Sequence, residues 1–543
     1  MNHYRNILQA SFIIWLFCFW FVSRHVALEP HWLFALALAS CLGLFVAHIV
    51  LKTFIRRRSS VLKDLPGPKS PSWLCGHALN IFDEPLAFNV TEWINARPYP
   101  DGLMHFYGLL GSEYIVPTNG EGLVEVLSTR AYDFEKTNAF RRYAIRFFGD
   151  GLVSAEQELH KRDRKTYLPI YNKSAVTKMQ PMLTSKSKQF VDRILDLCHS
   201  NQGGLKGGTT VIPIAEMTGR ISLDIISITA FGIDFETILG KNHDIFEAYE
   251  MIFASTYHKR SRFMWHNIAP PWLINMIPSS VERRMDAAHD MLTNFLRQVA
   301  VQKKSEVEKG SPDADDYLTN YIKQRPNDIE AVIPQIITIL SAGYESTGGT
   351  LAWVIYCLAI HPEAQAALRQ ELATAKGSQV TLPELDYDNL PVLNAIVMEA
   401  TRLYPSFSLL LRKAIRDTSI NGRFVPRGTY IGLCPRAINY AHHLWGYDAE
   451  EFKIERWIDY SDPAHPVPSA LGGAPSTACM LSFFYGARSC VGRGLALAQM
   501  KRQIALIAEQ FQVERVDDWV PLPSGLIAST PPLDLKLKFT SIS

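Results

Sequence analysis

Hydrophobic positions crowd the first ~50 residues and then thin into a mixed pattern for the rest of the chain. Two apolar runs open it, Ile7–Val22 (ILQASFIIWLFCFWFV) and Trp32–Leu51 (WLFALALASCLGLFVAHIVL). The second has the roughly 20 residues that a helix needs to cross a hydrocarbon core of ~30 Å. The first is shorter and reads either as a second span, about 7–26, or as the apolar part of a secretory signal. Lys52, Arg56, Arg57, Arg58 and Lys63 follow directly. Positive charge gathers on the cytoplasmic side of a span, so everything after Lys52 is expected in the cytosol. Leu65-Pro66-Gly67-Pro68 then reads as a stiff, helix-breaking connector. The expected organisation is 1–64 as membrane anchor and basic linker, and 65–543 as one cytosolic body.

Beyond the connector, helical stretches alternate with short strand-like ones. Asp328–His361 is a long apolar-rich helical segment, stopped at His361-Pro362 because proline disfavours the helical state of the residue before it. Leu390–Leu403 is another, stopped at Tyr404-Pro405. Arg423–Leu433 (RFVPRGTYIGL) has the turns and alternation of strands, and GLALAQMKRQIALIAEQF after Arg493 has helical spacing and good helix formers. Lys303–Asp316 (KKSEVEKGSPDADD), polar with Gly and Pro, is expected to be an exposed loop. The fold class expected is mainly α with a minor β-region, preceded by one or two transmembrane helices.

Composition changes this picture little. With 543 residues, 47% hydrophobic and 20% charged, the chain suits a large core plus membrane-soluble material. Its 55 basic and 53 acidic residues leave +2, so no nucleic-acid footprint is present. None of the eight cysteines stands in a C-x-x-C pair, which argues against a disulfide framework or a zinc site. Most fit as small buried apolar residues. The triplets Asn89-Val90-Thr91 and Asn172-Lys173-Ser174 would accept glycans only in a lumenal body, against the charge pattern.

Cys490 needs a different account. It sits in Phe483-Phe484-Tyr485-Gly486-Ala487-Arg488-Ser489-Cys490-Val491-Gly492. This segment resembles the cysteine-ligand loop of the cytochrome P-450 family at all five of its spaced positions: Phe483, Gly486, Arg488, Cys490 and Gly492. The resemblance implies that Cys490 is the axial ligand of haem iron, in a cytochrome P-450 haem-binding fold. The physics agrees: a thiolate opposite the open iron position pushes electron density toward bound oxygen. A glycine-permitted turn can aim backbone N–H groups at the sulfur, and the helix that follows places its positive end nearby. Arg488 offers a charge-assisted hydrogen bond to a haem propionate. The bland alternative is a structural cysteine in a glycine-rich turn. A phosphate-loop reading fails because the spacing is one residue too long and Arg493 replaces the required lysine.

Further segments match in the family's chain order. Glu399-Ala400-Thr401-Arg402 resembles its E-x-x-R pair, which shares a helix face and in the family meets a downstream arginine, here Arg456. Ile454 stands where that loop commonly has proline. Ala342-Gly343-Tyr344-Glu345-Ser346-Thr347 resembles the oxygen-activation segment: Gly343 leaves room over the haem face, and Glu345, Ser346 and Thr347 are the catalytic candidates for proton delivery. Ser346 replaces the commoner threonine and lacks the methyl that restricts its rotamer. His160 and Arg164 occupy the family's W-x-x-x-R positions, with histidine for tryptophan, and Arg412 matches a further propionate arginine.

The resemblance implies haem b as cofactor and O2-dependent insertion of one oxygen atom into a lipophilic small molecule, as in specialised-metabolite biosynthesis. No Gly-rich dinucleotide fingerprint follows a strand, so electrons are expected from NADPH through a separate cytochrome P-450 reductase, with cytochrome b5 as a second candidate donor. Arg493 and Lys501 are candidate docking charges. Placement in the endoplasmic reticulum membrane, with the body facing the cytosol, follows from anchor and resemblance together. The competing readings are a haem-thiolate isomerase, dehydratase or peroxide-using enzyme, and a non-catalytic haem sensor. Retention of the acid–alcohol pair Glu345–Ser346 favours the monooxygenase. The substrate pocket is expected along residues before the long helix and the apolar turn Ser406–Leu411.

Overall fold

The 29-residue helix Pro30–Arg58 contains the second apolar run and continues through the basic cluster. Within it Leu38–Arg58 is long and apolar enough to cross a membrane, and almost none of it is buried against protein. Trp32, Leu38, Leu42 and Phe45 are exposed, which suits a lipid surround because a helix satisfies its backbone internally. Arg56, Arg57 and Arg58 fill the last turn, where cations complement the carbonyl end of the helix dipole. The computed structural model describes residues 30–542 apart from 79, 83–84, 201–207, 254–255, 269–270, 278, 311–315, 378–384, 524–529 and 533. The first apolar run and the expected 7–26 span lie outside the described residues.

By contacts the chain divides into two compact units. The first gathers the described part of Met1–Asp64 with Lys69–Ala78 and Phe106–Glu113. Inside it Arg57 donates to Ser70 Oγ at 2.9 Å and to the Trp73 carbonyl at 3.0 Å, and its guanidinium lies 4.3 Å from the Tyr107 ring centre.

The second unit holds Leu65–Pro68, Leu79–His105 and Tyr114–Ser543, and is mostly helical. Its central helix, Ile329–Ile360, ends one residue before His361-Pro362, as the sequence predicts. It is apolar on nearly all sides because it is buried on nearly all sides. It packs closely on the helix Ile214–Phe231: a Cβ on Gly348 would come 2.9 Å from the Gly219 Cα, and one on Gly343 would meet Ile226 at 2.5 Å. The segment 390–403 forms the helix Pro391–Leu403, whose first N–H groups, from Val392 and Leu393, donate to Glu371 at 2.7 and 2.9 Å.

In the larger sheet Glu113–Pro117, Tyr430–Leu433, Leu410–Ala414 and Phe134–Lys136 lie side by side. The antiparallel register of the last two sets Lys136 opposite Arg412, so both side chains project from one face. A second sheet pairs Phe511–Arg515, Lys536–Ser541 and Thr209–Pro213. The region 423–433 forms strands Arg423–Val425 and Tyr430–Leu433, as expected.

One expectation is corrected. Lys303–Glu308 is not loop but the last part of the helix Ser280–Glu308. Lys and Glu are good helix formers, and the pairs Lys303–Glu306 and Lys304–Glu308, at 3.9 and 3.7 Å, lie at helical spacing. Asp316 is buried and caps the next helix, Tyr317–Gln324, accepting from the Thr319 N–H at 2.8 Å.

Glu399, Arg402 and Arg456 form a knot. Glu399 and Arg402 are fully buried and 2.7 Å apart, and Arg456 reaches Glu399 at 3.4 Å. The Trp457 indole N–H and the Lys453 backbone N–H also donate to Glu399, at 2.8 and 3.0 Å. Arg402 donates to the carbonyls of Asn439 and Ala449, each at 2.6 Å. A buried pair this well bonded meets the condition under which its attraction offsets desolvation.

Candidate functional site

The cysteine loop folds back through two single turns, Leu481–Phe483 and Gly486–Arg488. The Cys490 N–H donates to the Phe483 carbonyl at 2.8 Å and the Ser489 N–H to the Gly486 carbonyl at 3.1 Å. The turn requires φ +60° at Gly486, and a Cβ there would lie 2.5 Å from the Ser128 Cβ, so glycine answers both demands. The helix Arg493–Gln510 starts directly after Gly492. Protein surrounds Cys490, while its accessible surface opens onto an interior cavity of about 360 Å³. Burial pushes the thiol pKa up; the backbone N–H groups of Gly492 and Arg493 and the guanidinium groups of Arg164 and Arg493 work against that by favouring the thiolate.

At one part of the cavity wall, cations converge on Glu156. Its carboxylate meets Lys136 Nζ at 3.0 Å, Arg412 Nη1 at 3.4 Å and Arg488 Nη2 at 2.5 Å. The Lys136 backbone N–H adds a bond at 2.8 Å. Burial would raise the Glu156 pKa, but Lys136, Arg412 and Arg488 hold it down at about 2. Burial, and then the repulsion of Arg412, bring Lys136 down to about 7; burial, and then Arg488, bring Arg412 down to about 10. His160 is buried with Nδ1 3.1 Å from the Tyr132 hydroxyl. Burial, followed by Arg488 and Lys136, lowers its pKa to about 3, so its ring is neutral. Arg164 lines the cavity one turn on, but two of its N–H groups donate to Ser489, at 2.7 Å to the carbonyl and 2.8 Å to the hydroxyl. It therefore braces the cysteine loop as well as facing the cavity.

The central helix contributes another wall. Glu345, Ser346 and Thr347 all line the cavity, and Ser346 Oγ donates to the Ala342 carbonyl at 2.5 Å. The hydroxyls of Thr350 and Ser406 lie 2.9 Å apart, and Thr350 donates to the Ser346 carbonyl at 2.8 Å. Phe140, Phe148, Leu152, Ile339 and Phe407 make much of the remaining surface apolar. The turn 406–411 takes part as expected, through Ser406, Phe407, Leu409, Leu410 and Leu411.

Two expectations change here. Gly343 borders the cavity, but its missing side chain makes room for Ile226 of the neighbouring helix. Lys501 is buried and paired with Asp388 at 2.6 Å, which removes it as a surface docking charge. Arg493 is exposed. Lys136, Glu156 and the Thr350–Ser406 pair were not singled out in the sequence; no spacing joins residue 156 to 412 or 488. The only local signal was an acidic residue just ahead of the helix that carries His160.

These residues fit a haem. Nε and Nη1 of Arg488 are buried with no partner, a costly state for charged donors. Lys136, Arg412 and Arg488 bring three cationic side chains to the single Glu156 carboxylate, more than it can neutralise, and the two carboxylates of that cofactor would meet the excess. The cysteine thiol on the same cavity supplies a soft donor for iron.

A family model described as "Cytochrome P450" matches residues 66–539. Cytochrome P450 monooxygenase ptmK of Penicillium ochrochloron is 30% identical over 494 residues, covering 89% of this chain and 94% of its own. Cytochrome P450 monooxygenase sphH of Aspergillus fumigatus is 29% identical over 518 residues, 92% of each chain. The crystal structure of a cytochrome P450DA heme domain matches with a TM-score of 0.68 at 19% identity, over 88% of this chain and 98% of that one, a likeness of fold alone.

Proposed function

Because the chain belongs to the cytochrome P450 family, and with it to the oxidoreductases of monooxygenase type, we propose that it is a membrane-anchored enzyme inserting one oxygen atom into a lipophilic small molecule. Haem b held by a cysteine thiolate supplies the O2 activation for this chemistry. Cys490 is the thiolate, tuned by the N–H groups of Gly492 and Arg493 that favour its charge. Phe483, Gly486 and Gly492 shape the loop that presents it. Arg488, Arg412, His160, Arg164 and Lys136 hold the carboxylate end of the cofactor. Glu399, Arg402 and Arg456 keep the scaffold beneath the loop rigid.

Ser346 Oγ, donating to the Ala342 carbonyl, keeps a lone pair for accepting a proton and a hydroxyl for passing one on. Glu345 feeds that hydroxyl, and Thr347 supports the same stretch of helix. The apolar wall excludes water and selects a lipophilic substrate. Electrons come from NADPH through a separate reductase, with cytochrome b5 as a second donor, at the endoplasmic reticulum membrane with the body in the cytosol. The fungal monooxygenases among its relatives support a role in specialised-metabolite oxidation.

One observation carries the reading: Cys490 and the acid–alcohol pair Glu345–Ser346 line the same cavity. The test is product formation from lipophilic candidates with NADPH, reductase and O2. Ser346→Ala is expected to keep the haem spectrum and lose product by on the order of 10²-fold, with more electrons lost to peroxide. Product from substrate alone, without NADPH, would replace this reading with an isomerase or dehydratase.

A further inference from the structure

We propose that Glu156 is a positioning residue for the haem, holding Lys136, Arg412 and Arg488 together so that the two haem carboxylates meet a preassembled set of cations. The inference rests on the haem reading above and adds a residue that never touches the cofactor. Three observations carry it. Lys136 and Arg412 stand directly opposite each other across antiparallel strands, and like charges at that register repel. Arg488 arrives from the cysteine loop as a third buried cation. Left alone, the three would spread apart. Glu156 prevents this by bonding every one of them and the Lys136 backbone N–H besides.

The second observation is placement. Among the described residues lining the cavity, the three cations appear and Glu156 does not. It backs the cations. The third is how firmly the carboxylate itself is fixed. Glu156 is buried at the N-cap position of the helix Gln157–Tyr171 and makes no side-chain capping bond there. Its carboxylate is held by the three cations and the Lys136 N–H, at a helix end whose partial positive charge favours it. That helix also carries His160 and Arg164 on the cavity wall. A carboxylate present only to neutralise charge would have no need to leave Arg488 two buried N–H groups unmet. One that gathers the cations for another acceptor would leave them so.

The experiment uses holoenzyme and two readouts. Haem transfer to an excess of a haem-scavenging apoprotein is followed for wild type, Glu156→Gln and Glu156→Asp, and the reduction potential of each is titrated. Glu156→Gln should release haem about tenfold faster, the lower end of what loss of an outer ligand-orienting partner costs a metal site. Its potential should move upward, because a fixed negative charge near the haem is gone. Glu156→Asp keeps the charge with a shorter reach, so it should release haem faster at an unchanged potential. A purely structural role would leave the potential of Glu156→Gln unmoved, and that result overturns the proposal. So does unchanged or slower haem release, which would mark Glu156 as a competitor of the haem carboxylates. Should Glu156→Gln fail to fold, Glu156→Asp decides, and release at the wild-type rate sinks the idea. Wild-type protein that takes up no haem would bring down the haem reading itself, a distinct outcome.

Discussion

Eight consecutive residues, Phe483–Cys490, shape the seat of the sulfur, whereas the cationic wall of the same cavity draws Lys136, Glu156, Arg412 and Arg488 from well-separated segments. The loop holds its geometry through backbone bonds and two positive φ angles, at Phe484 and Gly486, so it is formed or it is not. The cation cluster holds its geometry through side chains on a strand, a helix start, a second strand and the loop, so its members fail by degrees. The Glu399 knot lies between the two: its central pair is three residues apart on one helix, but its partners arrive from residues 439–457. Catalytic architecture is thus brittle where it is local and graded where it is convergent.

Three substitutions probe that contrast, in falling order of effect. Glu399→Ala leaves Arg402 buried without its counter-charge and should cost about 3–5 kcal/mol, a large share of the ~5–15 kcal/mol by which folded proteins exceed their unfolded states. Urea unfolding, or the yield of folded protein, reads this, and an unchanged midpoint would remove the knot from the scaffold. Gly486→Ala forces a side chain into a left-handed turn against Ser128 and should cost roughly 1–3 kcal/mol. Haem absorbance should fall with it; a variant with wild-type Tm and haem content would show that the loop is not brittle.

The smallest effect is on acid sensitivity. The folded pKa of Glu156, about 2 against an ordinary 4.5, and that of His160, about 3 against 6.5, are both lowered. In each case the unfolded chain binds the proton more readily. The stability each contributes is present above the ordinary pKa and is lost as pH falls through the lowered one. Between pH 7 and 6 Glu156 stays ionised in both states, and His160 contributes a loss under about 1 kcal/mol. Lys136, lowered to about 7, and the lowered His266 and His289 act in the same direction. His160→Gln should make the fall of Tm across that interval shallower while leaving the steeper fall below pH 4.5 in place. An unchanged slope near neutrality would show that the ring is not buried in its neutral form.

The same contrast explains what could be read from the chain. The cysteine loop was legible because five constrained residues sit within a ten-residue window. The central helix was legible because its apolar run ends at a proline. Glu156 was not, because its partners join it only after the strands pair in register and the loop closes over them. Lys501 was misassigned for a related reason: helical spacing gives the period but not which face meets Asp388. At Gly343 the small residue was read as space for a cofactor, while tertiary packing gave that space to Ile226. For 303–308, polarity suggested loop, but Lys–Glu pairs at helical spacing are compatible with a long exposed helix.

The most direct test of the account is the spectrum of the reduced, CO-treated protein beside that of Cys490→Ala. Thiolate ligation predicts a main band shifted strongly to the red in the wild type and lost from the variant, even if some haem remains bound. A variant that keeps the red-shifted band would contradict the assignment of Cys490 as the iron ligand.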